Sequence, residues 1–294
     1  MIQDALSKQI FKNLSSLNLS PPRIYTYRFK DTLKQSILEG GDCYGITIES
    51  SNQLKIEVPI EELKIALFSD FHFGCIRINE QVNNVNNLIE SGSQVAWIVT
   101  TAYYACYFMA VEIAKLYGIF IINFSENEII GLLTSCRNPY GLSLKTESNN
   151  SFKVSVTPSS YEHILDLQLN KEGSRPHQIA WTNLSQILRR LSIDDSLIHH
   201  KNLLIDICSN SNRWILPSVV RNDWNYTYAN YYSTKGTELG SKFLSIIKKN
   251  DSAMSWANLR SLQPDETNIT ASIAYLYHCL YKTIENIDRK FYPH

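Results

Sequence analysis

The chain reads as an α+β protein, with a C-terminal helical bundle interrupted by a strand-rich insertion and preceded by a small α/β N-terminal domain. Three patterns carry that reading. In 267–290 the residues Ile273, Leu276, Leu280, Ile284 and Ile287 form one stripe, the period of a helix with a single buried face. In 95–117 apolar or small residues such as Ile98, Ala102, Ala105, Met109 and Ile113 fall on every side, which marks a helix enclosed by other helices. Leu54, Ile56 and Val58, and later Phe152, Val154 and Val156, alternate with polar residues, the period of strands with one face inward.

Taken in order, Leu6, Ile10, Phe11, Leu14 and Leu17 predict a short opening helix over 4–19, which Pro21-Pro22 ends because proline cannot continue the hydrogen-bond ladder. Gly40-Gly41 predicts a turn before a strand-bearing stretch from Tyr44 to about Gly74 that closes with the apolar run 65–73. Val82, Val85 and Leu88 predict a helix over 79–92, and Ser91-Gly92-Ser93 is the expected boundary between domains 1–92 and 93–294. The insertion spans about 118–175, with strands at 119–124 and around Val154 and turns at Asn138-Pro139, Asn149-Asn150 and Gly173. Helical spacing returns at 179–191 and after Pro217, and Pro264-Asp265 starts the last helix. No internal repeat or low-complexity segment is present.

Composition limits the partners. With 294 residues, 44% hydrophobic and 19% charged, the chain can bury a core unaided. Its formal net charge of zero supplies no global attraction to nucleic acid or an anionic membrane, so such contact needs a local patch. The six cysteines, Cys43, Cys75, Cys106, Cys136, Cys208 and Cys279, show no zinc-ligand spacing and read as reduced thiols of a cytoplasmic protein without metal or cofactor. The first residues lack the basic start and apolar run of a secretion signal. The apolar stretch 95–111 contains Thr100, Thr101 and three tyrosines and meets Glu112 and Lys115 at once, so a buried helix is expected and no membrane contact.

Asp70-Phe71-His72 after an apolar run resembles the opening Asp-x-His of calcineurin-like metallophosphoesterases. That chemistry needs two metals and several further ligands. No later Gly-Asp or Gly-Asn-His element follows, and the seven histidines, His294 included, stand in other contexts. A strand end with a satisfied histidine is the expectation here.

Three separated segments resemble the HEPN superfamily. Thr101-Ala102-Tyr103-Tyr104-Ala105-Cys106-Tyr107-Phe108 is similar to its Ala-Tyr-Tyr-Ala helix, and His177-Gln178-Ile179-Ala180-Trp181 looks like the start of its second helix. Leu216-Pro217-Ser218-Val219-Val220-Arg221-Asn222-Asp223-Trp224-Asn225-Tyr226 looks like its arginine-bearing helix. Active members place a histidine four to six residues after the arginine. A permanent guanidinium charge then holds a phosphate while an imidazole moves protons. Here Tyr226, Thr227 and Tyr228 fill that window, and a tyrosine with a pKa of roughly 10 is a poor base at neutral pH. Arg221-Asn222-Asp223-Trp224-Asn225-Tyr226 is closer to the family's histidine-less Arg-Asn-x-Ala-Asp-Tyr variant. Toxins paired with nucleotidyltransferase antitoxins are the other pattern, in which Tyr228 matches a modifiable tyrosine.

The resemblance implies a component of a prokaryotic antiviral defence or toxin–antitoxin system that binds RNA or a nucleotide. If active, it is a metal-independent endoribonuclease using Arg221, Asn222 and Tyr226, with Arg221, Trp224 and Tyr228 contacting nucleic acid, and it works with a protein partner or as a homodimer. The competing expectation is a non-catalytic scaffold that recruits a partner enzyme. The pairs Arg189-Arg190 and Lys248-Lys249 and the run His199-His200-Lys201 could add charge to a groove.

Overall fold

The computed structural model describes residues 1–22, 27–40, 44–138, 141–173 and 175–292. Gly41, Cys43, Pro139 and His294 lie outside the described residues. In chain order the elements are α1 (Ile2–Ser16), α2 (Leu33–Glu39), β1 (Gly45–Ser50), β2 (Gln53–Pro59), α3 (Ile60–Glu90), α4 (Val95–Leu116), β3 (Ile119–Ser125), α5 (Glu126–Thr134), β4 (Cys136–Arg137), β5 (Asn149–Pro158) and β6 (Ile164–Lys171). There follow α6 (Pro176–Arg189), α7 (Ile198–Ser209), α8 (Pro217–Asn222), a π-helical turn Asp223–Thr227, α9 (Thr234–Ile247), α10 (Asn250–Ala257) and α11 (Glu266–Phe291). The protein is therefore a mixed α+β chain with one six-stranded sheet among the described residues.

The chain divides into two compact units, but not at 92/93: one comprises 10–73 and 114–176, the other 1–9, 74–113 and 177–294. The stretch expected as an insertion into the bundle pairs instead with the N-terminal strands. The sheet order is β3-β5-β6-β2-β1-β4, antiparallel throughout except for the β1–β4 pair. Pairing in register over Leu54–Leu169, Ile56–Leu167 and Val58–Leu165 puts all six side chains on one face, and all six are buried. Phe120, Ile122, Phe124, Phe152 and Val154 continue that face. Each such side chain contributes about 1.5–3 kcal/mol by leaving water. The other face is polar: Lys55 bridges Asp166 at 3.0 Å and Glu57 at 3.1 Å. Ser125 and Glu128 start α5 with reciprocal side-chain caps.

Asp70 and His72 do not sit at a strand end. They lie inside α3, where residues two apart point to different sides of the helix. Asp70 accepts the Leu33 N–H at 3.2 Å and pairs with Lys115 at 3.1 Å, while His72 stacks on Tyr27 at 4.8 Å. No group of three metal-ligating side chains occurs among the described residues. The Ser91-Gly92-Ser93 segment is a tight link between α3 and α4, with Gly92 at φ +65° and the Ser93 N–H donating to the Leu88 carbonyl at 3.0 Å.

The helical unit is built around α4 and α11. Ala102, Tyr103, Ala105, Cys106, Met109, Ala110 and Ile113 are sealed from solvent, as are Ile273, Ala274, Tyr275 and Leu276. Helix α4 is the one described helix long and apolar enough to cross a membrane, and 67% of its apolar window is buried in the protein. Asp265 caps α11 by accepting the Asn268 N–H at 2.8 Å, as the Pro264-Asp265 signal predicts. Close approach needs small residues: a Cβ on Gly240 would collide with Val95 Cγ1, and one on Gly74 with the Glu112 carboxyl.

Candidate functional site

Three helices of this unit deliver the candidate side chains. Helix α4 presents Tyr103, Tyr104 and Tyr107. Helix α6 opens on Pro176, whose missing N–H would have no intrahelical partner there, and its first turn carries His177, with Trp181 one turn further on the same side. Helix α8 begins with Pro217 at its first position and ends with Arg221 and Asn222.

These groups meet at Arg221. Its guanidinium carbon stands 5.4 Å from the ring centres of both Tyr103 and Tyr104 and 5.8 Å from that of Tyr226, within cation–π reach. The residue is only 9% exposed. Among the described residues it makes no ion pair; its Nε is sealed without an acceptor, while the guanidinium reaches the Tyr103 hydroxyl. Asp223, the next acidic residue in the chain, forms no ion pair with it among the described residues. A buried cation with no carboxylate beside it is electrostatically incomplete.

The second element is one that sequence reading left out of the site. His177 Nδ1 lies 2.8 Å from the Tyr103 hydroxyl, and its ring lies 4.3 Å from that of Tyr107. Burial, then the Arg221 charge, lowers the His177 pKa, so the imidazole is neutral at pH 7. Burial raises the Tyr103 pKa, against the pull of Trp181 and Arg221, so its hydroxyl keeps its proton. We therefore assign Tyr103 O–H as donor to Nδ1, which leaves the His177 proton on Nε2. Trp181 Nε1 is also buried, and the Tyr103 hydroxyl is the group it faces. The cluster thus offers donors and a fixed positive charge, the complement of an anion. It holds no free base unless the Tyr103–His177 bond reverses.

The remaining expected residues divide sharply. Tyr226 is 72% exposed beside Arg221, carried there by the π-helical turn, in which residues five apart come into line. Tyr228 is half-exposed and packs on Tyr231 at 5.0 Å. Asn222 is exposed and its carbonyl accepts from the Thr227 hydroxyl at 3.4 Å. Trp224 is corrected from a base-contacting residue to a core residue: it is 1% exposed and its Nε1–H donates to Thr270 Oγ1 at 3.1 Å, leaving no face for a base. His200 is likewise internal, bonded to the Tyr275 hydroxyl at 2.8 Å.

No linear spacing announces His177, because it reaches Arg221 through the packing of α6 and α8 on α4. No family model matches the chain, and neither a curated protein nor a solved structure matches it.

Proposed function

We propose that this chain is a HEPN-like RNA-binding protein in which Arg221 holds a backbone phosphate, as the resemblance of three segments implies. The observation that carries the reading is the buried guanidinium without a counter-anion, beside the His177 ring. A phosphate oxygen would accept from Arg221 and from His177 Nε2–H, and the exposed Tyr226 ring is placed to stack on an adjacent base. Asn222 stands at the rim and Tyr228 beside it. Binding of this kind suits a defence or toxin–antitoxin component. Cleavage is the smaller claim, because it requires the opposite His177 tautomer to expose a base.

The test is fluorescence anisotropy of a short single-stranded RNA in a metal chelator, with wild-type protein, Arg221→Ala and His177→Gln, followed by a gel for cleavage. Tight wild-type binding that weakens in both variants with RNA left intact is expected. Equal affinity in Arg221→Ala and wild type would remove the reading in favour of a scaffold subunit.

A further inference from the structure

A second cleft in the helical unit, built from residues other than those around Arg221, has the chemistry of a small-molecule site. Helix α7 puts His199, Asn202 and Asp206 on one side, because positions i, i+3 and i+7 share a face. Asn258 and Arg260, from the loop after α10, line the same cleft, and so does Trp214. The cavity measures about 440 Å³, the scale of a drug-sized ligand and too large for an isolated phosphate.

Several polar groups have a role left open, although the Asn258 side chain also reaches His200. His199 Nε2 faces the Ala257 carbonyl at 2.7 Å; a carbonyl only accepts, so Nε2 carries the proton and Nδ1 remains an acceptor. Asp206 uses Oδ2 for the Asn212 side-chain amide at 2.9 Å, which leaves its other oxygen. Trp214 is 6% exposed, edge-on to Trp256, and its indole N–H has no hydrogen-bond partner among the described residues. Arg260 is exposed and forms no ion pair among the described residues. The turn that delivers Trp214 holds Asn212 at φ +51° and Arg213 at φ +66°. A left-handed arginine is strained, so the turn is kept against its own backbone preference.

One cation, two acceptors and two amides describe a ligand with one anionic group and several hydroxyl or amino donors. A bare phosphate would be repelled by Asp206. A nucleic-acid strand would find one cation where a run is needed. We propose that this cleft binds a nucleoside monophosphate, with the phosphate toward Arg260, sugar or base donors toward Asp206 and His199 Nδ1, and base edges read by Asn202 and Asn258.

The full chain would be titrated with AMP, GMP, CMP and UMP, with inorganic phosphate and the four nucleosides as controls, following tryptophan fluorescence and calorimetry. At least one monophosphate binds at one per chain, Arg260→Ala weakens it about tenfold, as expected for one charge-assisted contact, and Asp206→Asn weakens monophosphate and nucleoside alike. Arg221→Ala leaves that affinity unchanged, which separates this cleft from the proposed RNA site. The proposal is overturned if no monophosphate binds, if inorganic phosphate or the nucleoside binds as well as the monophosphate, if Arg260→Ala has no effect, or if Arg221→Ala abolishes binding. Melting curves for each variant exclude unfolding as the cause.

Discussion

Arg77 and Arg221 each lay a guanidinium on aromatic rings of α4, at 4.2 Å from Phe108 in one case and 5.4 Å from Tyr103 and Tyr104 in the other. Their surroundings differ in one respect. Arg77 is 46% exposed and bonds the fully buried Glu112 at 3.0 Å, whereas Arg221 is nearly buried and pairs with no carboxylate among the described residues. The first arrangement sets charge against charge through one Glu112 oxygen. The second carries a charge whose partner the described chain does not supply. One helix thus supports both a structural ion pair and a candidate receptor, and charge balance rather than residue type tells them apart.

The largest expected effect comes from opening the closed pair. Arg77→Met leaves the Glu112 carboxylate buried without its guanidinium and lowers stability by about 3 kcal/mol, read from urea unfolding. Gly74→Ala follows at about 2 kcal/mol, because the new methyl meets the Glu112 carboxyl. In a Glu112→Ala background the same change costs less than about 1 kcal/mol, and additivity of the two would mean the clash lies elsewhere.

Arg221→Met sharpens the contrast. Removing an unpaired charge changes stability by less than about 1 kcal/mol in either direction, while RNA affinity drops at least about tenfold. A variant as unstable as Arg77→Met would show that Arg221 has a structural partner after all.

A smaller effect is expected with pH. An anion beside His177 favours its protonated form, so affinity for a phosphodiester, whose own charge does not titrate here, rises about two- to fivefold as pH falls from 7.5 to 5.5. His177→Gln flattens that dependence. The stability trend has the opposite sign. The His177 pKa is lowered in the fold, so its contribution is complete above the unfolded value near 6.5 and is lost as pH falls through 6.5 toward the folded value. His200 and His278, lowered by burial, act in the same direction. The least effect on stability is expected from Tyr226→Ala, which lowers RNA affinity about fivefold, as for one partly exposed stacking face.

Much of the fold was legible where a local pattern decides the structure. The stripe from Ile273 to Ile287, the apolar surround of α4, the Asp265 cap and the alternation around Ile56 and Val154 all translate directly. Helix α3 departs from the expected strand because the unbroken apolar run 65–73 fits either element, and Leu63, Leu67, Phe71, Ile78, Val82 and Val85 keep helical spacing across it. The domain division was hidden for a different reason. The pairing of β2 with β6 and of β1 with β4 joins distant segments, and alternation shows which face is apolar but not which strand lies alongside. In the same way Arg221 was readable from its neighbours, whereas His177 enters through tertiary packing. Trp224 looked like a base-stacking residue because its burial depends on the pitch of the turn that carries it.

That turn has a consequence for variation in the chain. Between Asp223 and Thr227 the backbone carries one residue more than an α-helical path would need, and this surplus sets Tyr226 over the guanidinium while Trp224 faces inward. Loss of any single codon in this stretch would restore the α path and turn every later side chain by about 100°. A point deletion would then uncouple the exposed ring from the charge while each amino acid named above survives, so comparisons between chains that count residues without their winding would misalign the two.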